Sequence, residues 1–126
     1  YGNVIDVFLP KKELKKQIMG IKTDSAALED PKDPETCNVF AIYKLLATPA
    51  QIEELAANYL EGNFGYGHAK TVLFELILEE FAEARKKFDH YIAHPEEVSA
   101  ALKMGAEKAR PVAQETLSRV RSKLGF

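Results

Sequence analysis

Apolar residues recur at helical spacing through most of the chain, and the places where the recurrence fails mark its joints. Behind Pro10, the residues Leu14, Ile18 and Ile21 recur every three or four positions while Lys11, Lys12, Lys15 and Lys16 fill the turns between them. This predicts a basic amphipathic helix ending at Gly20. Ahead of it, Val4, Val7, Phe8 and Leu9 surround a single acid, Asp6, in a β-prone stretch too short to make a sheet by itself. It is expected to be a short extended N-terminal segment. Residues 23–36 (TDSAALEDPKDPET) carry no periodicity and are rich in Asp, Ser, Thr and Pro, so they read as a loop. At its end, Asp33-Pro34-Glu35 supplies an N-cap, a proline at the first helical position and a first-turn acid.

The helix that follows would turn Val39, Ile42, Tyr43 and Leu46 inward. Thr48-Pro49-Ala50-Gln51 is a capping box, in which hydroxyl and amide each satisfy an exposed backbone N–H. A short helix should run from there to Gly62, buried through Ile52, Leu55 and either Tyr59 or Leu60. The glycines of GNFGYG (62–67) then break the pattern. From His68 the residues Leu73, Phe74, Ile77, Phe81, Ala84, Phe88, Tyr91 and Ile92 fall on one stripe, which predicts a long central helix stopped by Pro95. Leu102, Ala106, Ala109, Ala113, Val120 and Leu124 share a face in the remainder, with Gly105 a joint and Pro111 a kink. The expected fold class is all-α: an irregular antiparallel helical bundle behind a short extended N-terminal segment.

Composition agrees with one folded domain, since 46% of the 126 residues are hydrophobic and 29% charged. A chain of this size buries roughly two thirds of its unfolded surface, so it needs no disulfide or metal staple. The net charge of −2 gives no global attraction for a polyanion, and any affinity for nucleic acid has to come from a local basic surface. Lone Cys37, beside Val39 and Phe40, suits a buried thiol in a reducing compartment. No apolar run approaches the ~18 residues of a membrane span and no signal-peptide pattern opens the chain, so a cytoplasmic protein without membrane contact is expected. The first residue is Tyr1, and the opening reads as the interior of a longer chain.

Candidate chemistry is sparse. His90 and His94 have the i, i+4 spacing of metal ligands but lack a third ligand, and histidines in a last turn before proline are favoured by exposed carbonyls and the helix dipole. No metal site is expected. Glu75, Glu79 and Glu83, followed by Lys86 and Lys87, read as a solvated ion-pair face and not as a catalytic pair. Cys37 has no activating neighbour in the sequence, and Gly62, Gly65 and Gly67 follow a helix without the Lys-Ser/Thr of a phosphate loop. No catalytic residues are assigned. The remaining signal is basic: Lys103, Arg110, Gln114 and Arg121 fall within a strip about 40° wide beside the apolar face of the last helix. A phosphate backbone would fit that strip, and so would plain solvent.

Five segments in order, YGN with IDVF, KKQIMGIKTDS, CNVFAIYKLL, IEELAANYLEGNFGYGHAK and GAEKARPVAQETLSRVRSKLGF, resemble the C-terminal part of bacterial tryptophanyl-tRNA synthetases, which are class I aminoacyl-tRNA synthetases. In that family YGN commonly follows the KMSKS signature, whose mobile loop stabilises the ATP phosphates. The resemblance implies that Tyr1, Gly2 and Asn3 adjoin the ATP loop. It also implies that residues 1–22 are a leading segment and linker helix after that loop, and that 23–126 form a helical anticodon-binding domain. The parent would be a homodimer that uses ATP with Mg to join tryptophan to tRNA(Trp). A Rossmann-type catalytic domain, absent here, would complete it, and this piece alone would be inactive and hold no cofactor. Lys103, Arg110, Gln114 and Arg121 would face the tRNA, and the leading segment, detached from its partners, would be weakly held. The related tyrosyl enzyme and a stand-alone helical interaction module are the alternatives.

Overall fold

Six helices and no strand make up the described residues, 2–126, of the computed structural model. They are α1 (Lys11–Met19), α2 (Asn38–Tyr43), α3 (Pro49–Glu61), α4 (Tyr66–Glu80), α5 (Ala82–Ala93) and α6 (Pro95–Leu124). The all-α class is as the sequence leads one to expect. The chain divides within α5 into two units, one ending at Arg85 and the other comprising Lys86–Phe126.

In the first unit, α1 and α2 both pack on α4. Leu14 and Ile18 of α1, Val39 and Phe40 of α2, Tyr59 of α3 and Leu73 and Ile77 of α4 are sealed from solvent. The capping box is present in full: Thr48 Oγ1 accepts from the Gln51 amide while Gln51 Oε1 accepts from the Thr48 amide at 2.8 Å. Tyr59, not Leu60, is the inward residue at the end of α3, and its ring meets Phe40, Phe64 and Tyr66. Gly62 closes α3 with φ +77.

Several expectations need correction. Asp33-Pro34-Glu35 caps no helix; Asp33 Oδ1 accepts from the Glu35 amide in a turn, and α2 starts only at Asn38. The long stripe from His68 is two helices, since the backbone at Phe81 leaves the helical region (φ −95, ψ 10), and α4 begins earlier, at Tyr66. Burial stops near that break. Leu73 and Ile77 are in the core, whereas Phe88, Tyr91 and Ile92 are exposed. Periodicity identifies a face but does not say where a covering neighbour ends. Helix α6 is continuous through Gly105, so no joint lies there, and it holds Pro111 in its interior; it buries none of its residues, including Leu102 and Leu124. The leading segment contains a turn at residues 6–9, headed by Asp6 Oδ1 accepting from the Phe8 amide. Ile5, Val7 and Leu9 pack on the core. It is not weakly held: the Arg85 guanidinium donates to the Val7 and Leu9 carbonyls, and Gln17 Oε1 accepts from the Asp6 amide at 3.0 Å.

The 23–36 loop is organised around a buried lysine. Lys32 Nζ donates to the carbonyls of Ala27 (2.9 Å), Leu28 (3.2 Å) and Asp30 (2.9 Å), and it lies 5.5 Å from the centre of the Tyr66 ring. Three carbonyl dipoles and a ring face thus replace the water that burial removes. Tyr66 in turn donates to Asp24 Oδ1 at 2.8 Å, which fastens the start of the loop to α4.

Candidate nucleic-acid interface

Helix α6 begins with Pro95 at its first position and acids Glu96 and Glu97 in its first turn, and it ends with Arg121 and Lys123 ahead of left-handed Gly125. Acids at the positive pole and cations at the negative pole suit the macrodipole. Proline is tolerated at the start, where its missing N–H has no helical partner. Pro111 is the exception, because its missing N–H removes one bond of the helical ladder.

Lys103, Arg110, Gln114 and Arg121 are all exposed on this one helix. Eighteen residues separate the first from the last, an axial reach of about 27 Å. Among the described residues none of the four enters an ion pair or a side-chain hydrogen bond, so their polar groups face solvent. Glu115 lies about 100° round the helix from Gln114, but Glu107 is only about 20° from it, so the strip has an acidic margin. The unit Lys86–Phe126 carries eight Lys and Arg against five Asp and Glu, a net of +3. The chain's overall −2 therefore conceals a basic C-terminal unit.

The other candidates resolve into structural roles. His94 Nδ1 donates to the His90 carbonyl at 2.9 Å, and His90 Nε2 pairs with Glu97 Oε2 at 2.9 Å. The histidine rings stack with centres 4.4 Å apart, so the pair closes the end of α5. Cys37 is buried with its Sγ 3.4 Å from the Tyr59 hydroxyl, as befits a core thiol. Burial, followed by that hydrogen bond, pushes the Tyr59 phenol well above its ordinary range. Glu75, Glu79 and Glu83 are exposed. Among the described residues no helix is long and apolar enough to cross a membrane.

Of the residues expected beside an ATP loop, Tyr1 lies outside the described residues. Gly2 and Asn3 are exposed and line a groove of about 950 Å³ between the leading segment, α1 and α2. Ile5, Leu9, Ile21 and Ile42 contribute apolar wall to this groove, and Lys16 and Lys22 add cations. The sequence pattern gave no sign of Arg85 and Lys32, which hold the leading segment and the loop. Both act on backbone carbonyls, and a carbonyl acceptor leaves no residue-type signature to pair with.

No protein-family model matches the chain. The tryptophan–tRNA ligase of Campylobacter jejuni (strain RM1221) is 46% identical over all 126 residues, which correspond to 40% of that protein. The tryptophan–tRNA ligase of Fusobacterium nucleatum is 42% identical over all 126 residues, 38% of its length. A crystal structure of Campylobacter jejuni tryptophanyl-tRNA synthetase complexed with ADP and tryptophan superposes with a TM-score of 0.95, covering 100% of this chain and 40% of that one. The chain thus spans about two fifths of the length of the curated relatives it matches, in their C-terminal part.

Proposed function

With its whole length similar to the C-terminal part of tryptophanyl-tRNA synthetases, we propose that the chain is the tRNA-recognition portion of such an enzyme. End-to-end agreement in both sequence and backbone is the observation that carries this reading. The full-length protein, on this reading, uses ATP with Mg to join tryptophan to tRNA(Trp), in the cytoplasm and as a homodimer. The catalytic groups reside in a Rossmann-type domain outside these residues, and the 126-residue chain alone activates no amino acid. Gly2 and Asn3, exposed at the groove, adjoin the loop that holds the ATP phosphates. Residues 1–22 link that loop to a helical anticodon-binding domain at 23–126.

Within that domain the α6 strip faces the anticodon stem-loop. Lys103, Arg110 and Arg121 are open cations along one helix, suited to phosphates, and Gln114 between them offers an amide that can both donate and accept toward a base edge. RNA sequence is read in unstacked loop bases, while phosphate contacts set register, so the two residue classes should fail differently.

The test is filter binding and charging by the full-length enzyme. Arg110→Ala with Arg121→Ala should weaken binding of all tRNAs and reduce the magnitude of the salt slope by about 0.7–0.9 for each phosphate no longer neutralised. Gln114→Ala should leave that slope nearly unchanged and relax discrimination among anticodon variants. An unaltered KM and slope in the double arginine variant would remove α6 from the RNA face.

A further inference from the structure

Charge is strongly segregated within the first unit. Residues 10–22 carry five lysines and one acid, Glu13, whereas the remainder of that unit carries four cations and thirteen acids. Those four cations are all engaged internally. Lys32 is caged by carbonyls, Lys44 pairs with Glu35 at 3.3 Å, Lys70 donates to the Met19 carbonyl at 3.0 Å, and Arg85 holds Val7 and Leu9. Lys11, Lys12, Lys16 and Lys22 have no ion pair among the described residues, and Lys15 leans its amine over the Phe74 ring at 5.8 Å.

The arrangement is costly to the helix that bears it. Lys11 with Lys15 and Lys12 with Lys16 are like-charge i, i+4 pairs, and Lys11 and Lys12 stand at the positive pole of the dipole. The lysines of α1 spread over an arc of about 140°. Leu14 and Ile18, which border that arc on its Lys11 side, are fully buried, so α1 has no free apolar face to insert into a lipid surface. An exposed basic arc of unpaired, flexible amines on an otherwise acidic body fits a ligand with regularly repeated negative charge and no demand for shape.

We propose that Lys11, Lys12, Lys16 and Lys22 form a second surface for an RNA phosphate backbone, distinct from the α6 strip. The proposal rests on the reading that the full-length protein binds tRNA, but not on any role for α6. Lysine, a point charge on a flexible stem, suits backbone tracking more than base reading, so this surface adds affinity and salt dependence without sequence discrimination.

The experiment uses the full-length synthetase and tRNA(Trp) across a salt series. Replacing Lys11, Lys12, Lys16 and Lys22 together by Gln, with Lys15 kept for its ring interaction, should lower the magnitude of the slope by about 1.4–3.6 if two to four phosphates are no longer neutralised. Replacing the same four by Arg should retain the slope. Helix content should hold, since repulsion is removed; if it falls, the Lys12→Gln, Lys16→Gln pair takes over, with an expected drop of about 1.4–1.8. Preference among anticodon variants should not change. An unaltered slope and affinity in a folded variant overturns the proposal. So does a variant that keeps its tRNA slope but loses binding to polyglutamate, because that outcome assigns the lysines to an acidic protein partner. Wild-type protein that binds no tRNA would instead defeat the parent reading, before any variant is compared.

Discussion

Arg85 reaches across the sequence to Leu9, donating from Nη2 to its carbonyl oxygen at 2.8 Å, while Nη1 takes the carbonyl of Val7. One planar guanidinium thereby fixes two alternate carbonyls of the leading segment and aims Ile5, Val7 and Leu9 at the core. Arg85→Ala should cost about 1.5–3 kcal/mol, the range for hydrogen bonds to a charged group. Amide exchange over residues 5–9 should accelerate with it. Arg85→Lys should recover only part of the stability, because a lysine cannot present the fork. Unchanged urea midpoints and exchange rates would show that the packing of Ile5 and Leu9 is sufficient.

Tyr59 and Leu60 are neighbours with opposite fates, the first 0% exposed and the second 61%. Tyr59→Ala should destabilise by about 3–5 kcal/mol, as for other large core truncations. Leu60→Ala should stay within about 0.5 kcal/mol, as for surface changes without special partners. Equal effects in denaturant unfolding would mean that α3 is rotated from the orientation described. Tyr59→Phe isolates the hydroxyl, and its removal leaves the buried Cys37 thiol without that partner, at a cost of about 1 kcal/mol.

The contrast also shows what the sequence could and could not disclose. Helical spacing found the inner face of α1 through Leu14 and Ile18, and the capping chemistry at Thr48 and Gln51 located the start of α3, because both signals are local. Spacing alone left Tyr59 and Leu60 unresolved, since adjacent residues differ by only about 100° and a second helix decides which is covered. The break at Phe81 had no glycine or proline to announce it. The exposure of Tyr91 and Leu102 was equally hidden, because an apolar stripe records that a face is fit for burial, not that something buries it. Lys103, Arg110, Gln114 and Arg121 could be placed on one face from spacing, yet spacing carries no information on what the face meets.

Burial raises the phenols of Tyr59 and Tyr66 above the ordinary value of 10.0, with the Cys37 hydrogen bond adding to the first and the Asp24 hydrogen bond to the second. For each, the folded state favours the neutral form more than the unfolded state does. The resulting stabilisation is fully present below pH 10 and is lost as pH rises beyond it. Absorbance titration at alkaline pH should therefore show these two phenols ionising together with loss of helical circular dichroism. Tyr66→Phe should remove one of the two and shift the unfolding transition upward in pH. Ionisation of Tyr59 and Tyr66 themselves near 10.0 in a fully helical protein, identified among the five tyrosines by comparison with Tyr59→Phe and Tyr66→Phe, would contradict the burial of both rings. Asp24 runs the other way. The Ala26 amide and then the Tyr66 hydroxyl lower its pKa below 3.8, so the stability it contributes is present above that pH and disappears in acid.

Gly62 and Gly105 offer a paired test of backbone geometry, because alanine should act in opposite directions at the two positions. At Gly62 the backbone has φ +77, and an added Cβ would stand 2.5 Å from the Glu29 carbonyl oxygen, part of the loop that Lys32 holds closed. Relief would require moving backbone, so Gly62→Ala should destabilise by about 1–3 kcal/mol through left-handed strain and this clash. At Gly105 nothing lies within 4 Å of an added Cβ, and the residue is in the interior of α6. Gly105→Ala there should stabilise by about 0.5–1 kcal/mol, chiefly by restricting the unfolded chain and improving helix propensity. Thermal unfolding of both variants checks the pair. A Gly105→Ala protein with a lowered midpoint would mean that α6 bends or is covered at that residue, and the continuous helix Pro95–Leu124, with the strip it carries, would have to be redrawn.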